Sequence, residues 1–360
     1  MRAYVRSSRI NPGLQTSTRH QRSGQGNDFN VFSSSQISIT AIAIMAPTIL
    51  VVGATGNTGR SVVEHLPKLL KNTSLSSAKI LALTRSSSSP TAQQLAQMQG
   101  VEVIEQNWVE TTEEWLREHE VVRAFVASHN EPTQFAEEGQ FMVNALRAGV
   151  KYVVRISTTA ANVHPDFPAY YPRSHWAIEH MLDQPEFDEM DFTSLQPNGF
   201  STMFVSGAAE MVKSFRSTGK QEPLRLIMDQ HTPTGLVDSY DVGVLAAHLL
   251  AQEDSTPHNG KRYVVNGPED ITGEQVTKLV EQYLGEPVKD VRYADLSMID
   301  DFAGNYPGPK NLIRSIKHAP VTTWEGKAKA ETTSKEVLEL CAPKRTVGDV
   351  LRQMIDGEAV

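Results

Sequence analysis

The chain alternates short apolar runs with segments whose apolar residues recur at helical spacing. Ile49-Leu50-Val51-Val52 is uninterrupted and ends at Gly53, the mark of a strand buried on both faces. From about Thr58, the residues Val62, Val63, Leu66, Leu69 and Leu70 fall on one helical face, with Pro67 as an expected kink. Further strands are predicted at 79–84, 101–104, 121–127, 152–157 and 192–195. Between them, Thr111 or Thr112 caps a short helix carrying Trp115 and Leu116. Phe135, Met142, Ala145 and Leu146 mark a longer helix closed by Gly149. Ser86 to Ser89 with Pro90 reads as loop. Strands and helices alternating at this spacing predict an α/β fold, a doubly wound parallel sheet with right-handed crossovers.

Beyond residue 199 the pattern loosens. An Ala/Leu-rich helix is predicted at 242–251 and a strand at 262–265, and Thr272 with Gln275 forms a capping box for a helix ending near Gly285. These pieces read as a smaller C-terminal substrate lobe over the carboxyl edge of the sheet. The expected organisation is therefore a leader or extension over 1–47 and a nucleotide-binding domain over 48–300, whose lobe begins after 199. Residues 301–360 form the last part of the lobe.

Composition changes the picture mainly at the start. Residues 1–44 carry Arg2, Arg6, Arg9, Arg19 and Arg22 against Asp28 alone, a net of +4 within a total of −8. This Ser- and Gln-rich stretch has no lasting apolar period and is expected to be disordered. Three readings stay open: a start at Met45, a mitochondrial presequence, or a tail. A cytoplasmic location is expected, mitochondrial if the presequence reading holds. The apolar stretch from Ile37 to Ala54 is not read as a membrane anchor, because Pro47 interrupts it and Ile49 to Val52 are needed in the core. The acidic balance argues against nucleic-acid binding. Cys341 is the single cysteine, so no internal disulfide forms, and no Cys/His cluster has zinc spacing.

The candidate chemistry starts at Gly53-Ala54-Thr55-Gly56-Asn57-Thr58-Gly59, between a strand and a helix. Gly53 allows a sharp turn off the strand, Gly56 lets backbone approach a pyrophosphate, and Gly59 lets helix and strand pack closely. The helix N-terminus offers N–H groups to phosphate, and Thr55, Asn57 and Thr58 add side-chain donors. This context makes the motif a dinucleotide site on a Rossmann-type sheet. The second strand ends Leu83-Thr84-Arg85-Ser86, with no acid to hold a ribose 2′-hydroxyl. Arg85 suits a 2′-phosphate, so NADP(H) is favoured over NAD(H).

Gly53 to Gly59, Thr84-Arg85, Gln196-Pro197-Asn198-Gly199-Phe200 and Tyr263 to Glu269, followed by a helix ending Leu284-Gly285, together resemble the NmrA-like family of atypical short-chain dehydrogenase/reductases. The resemblance covers roughly residues 48–300. It implies that Asn107 lies near the adenine and that Ser128-His129-Asn130 line the nicotinamide ribose. It also implies that Pro197, Asn198 and Phe200 lie along the nicotinamide end.

Short-chain reductases generally use Tyr-x-x-x-Lys after the fifth strand, with a Ser before it. Here Ser157, Thr158 and Thr159 end that strand, and Tyr171-Pro172-Arg173-Ser174-His175 places His at the Lys spacing. Pro172 is expected to hold Tyr171 outside the helix, off the face of His175. Glu179, one turn on, is the expected partner that orients His175. In isoflavone-reductase-like relatives a Lys near this helix start carries catalysis, and His175 resembles its counterpart. Tyr170 or Tyr171 could instead gate the pocket. His175 and Tyr171 are therefore the candidate catalytic pair, with no metal. Two functions remain open. One is an NADPH-dependent oxidoreductase of a small organic carbonyl, quinone or conjugated alkene. The other is a non-catalytic NAD(P)-sensing regulator with a protein partner.

Overall fold

A computed structural model describes residues 46–357. The expectations for residues 1–44 and for a start at Met45 lie outside the described residues. Among the described residues no helix is long and apolar enough to cross a membrane.

The first half is a regular strand–helix alternation. Its elements are β1 (Thr48–Val52), α1 (Gly59–Leu69), β2 (Lys79–Thr84), α2 (Pro90–Leu95), β3 (Val101–Glu105), α3 (Glu113–Glu118) and β4 (Val121–Val126). They are followed by α4 (Gln134–Ala148), β5 (Tyr152–Ile156), α5 (Tyr170–Leu182) and β6 (Asp191–Pro197). The second half contains α6 (Ser201–Phe204), α7 (Ser206–Thr218), β7 (Leu224–Arg225), α8 (Ser239–Leu250), β8 (Lys261–Val265), α9 (Gly273–Leu284) and β9 (Val291–Arg292). It ends in α10 (Ser297–Asn305), α11 (Lys310–Ser315), α12 (Val321–Trp324), α13 (Lys335–Cys341) and α14 (Val347–Asp356).

Seven strands form one parallel sheet in the order β3-β2-β1-β4-β5-β6-β8. β1 shows why its apolar run is unbroken. Ile49 and Val51 pack into one core with α1 and α8, while Leu50 and Val52 pack into the opposite core with α4 and α5. All four are fully buried, and each contributes about 1.5–3 kcal/mol relative to exposure. Strand order reverses between β1 and β4, and a ligand crevice is expected outside the carboxyl ends there.

Three elements differ from the sequence reading. Ser86 to Ser89 are loop as expected, but Pro90 already starts α2, a helix the apolar pattern did not mark: Ser89 caps it by accepting from the Ala92 N–H at 3.3 Å, with Pro90 at the first helical position. The sequence pattern places the strand at 262–265 and the helix at 242–251 in the lobe. Instead β8 pairs with β6, and α8 covers the main sheet. The cause is that Tyr263 and Val265, like the apolar face of α8, complete the main core. Ser334 bonds Val264 through both its N–H and its hydroxyl, so the chain before α13 covers the β8 edge. The lobe proper is a second core of α7, α9, α14 and the small β7–β9 sheet.

Candidate active site

The carboxyl ends of β1, β2, β4, β5 and β6 open into a cleft of about 740 Å³. Its floor is the turn after β1. Gly53 has φ +76°, a left-handed conformation that glycine adopts without strain. A Cβ on Gly59 would lie 2.2 Å from the Gly53 carbonyl oxygen, so helix and strand approach this closely only with glycine there. Gly53, Thr55, Gly56, Asn57, Thr58 and Gly59 all line the cleft. Thr55 Oγ1 lies 3.1 Å from Thr84 Oγ1 and ties the turn to the end of β2.

Arg85 lines the same end, is exposed, and forms no ion pair with a described residue. Asn107 does not line it. Its Oδ1 accepts from the Val109 N–H at 3.4 Å, and its neighbours Gln106 and Trp108 form the wall. Ser128 lines the cleft while donating to Glu138 Oε2 at 2.6 Å. Pro197 and Asn198 line the far side. Asn198 Nδ2 donates to the Gly235 and Ala328 carbonyls at 3.0 and 3.1 Å, so this residue also pins the lobe to the sheet.

Tyr171 and His175 both reach the cleft, and here the structure corrects the sequence reading. α5 begins at Tyr170, so Tyr171 is inside it. Pro172 is accommodated because the first-turn N–H groups of a helix have no intrahelical acceptor to lose. Tyr171 and His175 therefore share a face, ring centroids 6.4 Å apart and edge to face. Burial raises the Tyr171 phenol above the ordinary tyrosine range, opposed by a hydrogen bond with Thr158. Tyr170 instead bonds the Asn130 carbonyl and packs against Ala303 and Ile313.

Glu179 does not orient His175. It accepts from Ser194 Oγ at 2.6 Å, Gln196 Nε2 at 3.2 Å and Arg262 Nε at 3.1 Å. The partner of His175 is Arg155, from β5, whose Nη2 lies 2.8 Å from Nδ1. A guanidinium only donates, so Nδ1 accepts and the ring proton sits on Nε2, which donates to Asn130 Oδ1 at 3.2 Å. Burial and the Arg155 charge push His175 well below the ordinary histidine value. The ring is neutral and both nitrogens are engaged. Arg155 is itself fully buried and is neutralised by Glu138 Oε1 at 2.6 Å from its Nε.

Sequence reasoning missed this Arg155–Glu138 pair. Its signals were present: an arginine inside the apolar strand Tyr152 to Ile156, and Gln134 with Glu138 one turn apart on a buried helix face. Also missed was the outer wall, which comes from α6, the chain from Leu296 to Phe302, and residues 316–323. Ser157 Oγ, on the cleft wall after β5, is buried without a hydrogen-bond partner.

A model of the NmrA-like family matches residues 45–344, past the expected limit near 300. A curated relative, the (4-alkanoyl-5-oxo-2,5-dihydrofuran-3-yl)methyl phosphate reductase of Streptomyces griseus, is 28% identical over 160 residues. The match takes in 44% of this chain and 51% of that protein, so the chain spans about half the length of the relative. Among solved structures, an NADPH-dependent quinone oxidoreductase from Escherichia coli, complexed with NADPH, superposes with TM-score 0.62 and 22% identity, over 86% of this chain and 100% of that one. The Citrobacter sp. triphenylmethane reductase complexed with NADP(H) gives 0.61 and 19%, over 85% and 99%. NmrA, a negative transcriptional regulator in complex with NADP, gives 0.56 and 17%, over 87% and 92%. These structural likenesses show a shared Rossmann-type fold, and the family match shows that the chain belongs to the NmrA-like family.

Proposed function

We propose that this protein binds NADP(H) across the carboxyl ends of the sheet and reduces a small organic carbonyl, quinone or conjugated alkene. One observation carries the reading: a single cleft is lined both by the Gly53–Gly59 turn with Arg85 and by Tyr171. The glycine turn leaves space that a Cβ would fill, and Ser157 Oγ is a buried donor with no internal partner. Both fit a dinucleotide. Thr55, Gly56, Asn57, Thr58 and Gly59 would hold the pyrophosphate, and Arg85 the 2′-phosphate. Ser128, Pro197 and Asn198 would flank the nicotinamide end. Asn107 would act at one remove, by shaping the turn that presents Gln106 and Trp108. When bound, NADPH supplies a hydride, two electrons with one proton, and becomes NADP⁺.

Tyr171 would supply the second proton to the substrate and regain one from water at the cleft mouth. Its raised pKa keeps it protonated at neutral pH, as a donor requires. His175 would position rather than transfer a proton, since Arg155 and Asn130 occupy both its ring nitrogens. Steady-state NADPH oxidation across a quinone, enone and aldehyde panel tests this reading. Turnover of at least one class is expected, and none would sink it.

A non-catalytic cofactor sensor with a regulatory protein partner is the second reading. The neutral, fully bonded His175 at the usual lysine position favours it. NADPH binding that shifts partner affinity without turnover would establish it.

A further inference from the structure

The two ends of the cleft differ in charge. Among the described lining residues, Arg85 is the one side chain with a fixed charge, and it sits at the β2 end. The opposite end is walled by Met203, Ile227, Met298, Ile299, Phe302 and Ile316. Its polar atoms are already engaged. Asn162 Nδ2 donates to the Ala319 carbonyl at 3.0 Å and its Oδ1 accepts from Thr322 Oγ1 at 2.6 Å. Thr323 Oγ1 donates to the Pro320 carbonyl at 2.6 Å. Nearby on α10, Asp300 pairs with Lys317 Nζ at 2.6 Å. Tyr171 and Thr158, which hydrogen-bond each other, also line the cleft.

Among the described residues, nothing fully covers this apolar end. Met203, Met298 and Phe302 are 49%, 49% and 51% exposed, three of the five large hydrophobic side chains left exposed among the described residues. Clustered exposed apolar surface at the mouth of a cleft marks a binding surface, because covering it releases ordered water.

We propose that this end selects an uncharged, largely apolar substrate, aromatic in size, and rejects anionic ones, with Met298 and Phe302 of α10 as specificity-determining residues. The inference rests on the reductase reading and sharpens it. An anion entering here would lose its hydration and meet no cation among the residues that line this end, the nearby Lys317 and Arg314 being turned to Asp300. A phosphorylated substrate, such as the name of the Streptomyces griseus relative describes for that protein, would therefore be excluded here.

The test compares 1,4-naphthoquinone with its 2-sulfonate, which shares the redox core and is intrinsically the easier to reduce. With NADPH, wild-type kcat/KM is expected to favour the neutral quinone by at least about 30-fold, since a desolvated, unpaired charge is strongly rejected. Met298→Arg and Phe302→Arg, both at exposed positions, are each expected to shrink that preference by about 10-fold by offering the sulfonate a partner. Near-equal use of the two quinones by the wild type, or a preference unchanged in both variants, overturns the proposal. If neither quinone oxidises NADPH, the reductase reading is decided separately by the full quinone, enone and aldehyde panel. Calorimetric titration of each probe into NADP⁺-loaded protein then decides the inference. Tighter binding of the neutral probe supports it, and equal binding overturns it.

Discussion

Replacing His175 by Gln tests the site at its centre, because the structure fixes both the protonation state of this ring and its consequence for stability. Arg155 Nη2 donates to Nδ1 at 2.8 Å, and Asn130 Oδ1 faces Nε2 at 3.2 Å. Glutamine can offer an amide oxygen to Arg155 and an amide N–H to Asn130, so it keeps the pattern without a titratable group. The folded histidine has its pKa driven well below 6.5 by burial and then by Arg155. The unfolded chain takes up a proton near its ordinary value of about 6.5, and the native ring does not. Stability from this group is therefore fully present above that pH and is lost as pH falls below it. The slope is at most about 1.4 kcal/mol per pH unit. Between pH 7.5 and pH 5.5, wild-type protein is expected to lose about 1.4 kcal/mol more unfolding free energy than His175→Gln. Urea denaturation across that range measures it, and the carboxylates shared by both proteins cancel in the difference. Parallel curves, or a larger acid loss in the variant, would show that the native ring is charged and that Arg155 does not donate to it. The same protonation state predicts that His175 contributes no titration to kcat/KM between pH 5.5 and pH 8, so the pH profiles of wild type and His175→Gln should share their shape.

The other outcomes follow from single contacts. Arg85→Ala is expected to weaken NADPH by about 10–100-fold, the loss of charge-assisted hydrogen bonds worth about 1.5–3 kcal/mol. NADH should change by less than about twofold, and equal losses for the two in titration calorimetry would remove the 2′-phosphate role. Tyr171→Phe should lower kcat by about 10²–10⁴ while leaving the NADPH Kd unchanged, as loss of a proton donor does. A matching rise in Kd would make Tyr171 a binding residue. Gly59→Ala places a Cβ where 2.2 Å separates it from the Gly53 oxygen. The forced shift should cost about 1–3 kcal/mol in thermal unfolding and weaken both cofactors alike.

The central sheet was legible because β1 to β6 are encoded locally. β1, β2 and β4 carry runs of apolar residues whose alternate members serve opposite faces, as Leu50 and Val51 do, while β3, β5 and β6 keep enough apolar or β-favouring positions between their polar ones to read as strands. β8 and α8 also had readable patterns, but their partner did not. Nothing local in Arg262 to Val265 says that the strand joins β6 rather than a separate lobe, since that is settled by which core has room for Tyr263 and Val265. The glycine turn and Arg85 were legible because their geometry is contained in a few consecutive residues. His175 was misread for the opposite reason. Its natural-looking partner Glu179 lies one turn away, yet its actual partner comes from β5, twenty residues upstream. α5 starts before Pro172 because proline, although it disfavours helix at the preceding residue, is tolerated within a first helical turn.

The location of positive charge decides what chemistry this site supports best. A lysine at position 175 would bring a cation to the ribose and to Tyr171, lowering the phenol's pKa and easing proton release. In this chain the cation beside that position is Arg155, which is fully buried, paired with Glu138, and separated from Tyr171 by the His175 ring. The ring between them is neutral, and the Tyr171 phenol is raised rather than lowered. Such a tyrosine is a weaker acid than an ordinary one and gives little electrostatic assistance to an isolated carbonyl whose oxygen must take up a full negative charge. Acceptors that delocalise the incoming electrons over their own conjugated framework need less of that assistance. Within the proposed substrate range, quinones and conjugated alkenes are therefore expected to outpace simple ketones and aldehydes. The apolar walls contributed by α6 and α10 favour the same flat, uncharged molecules.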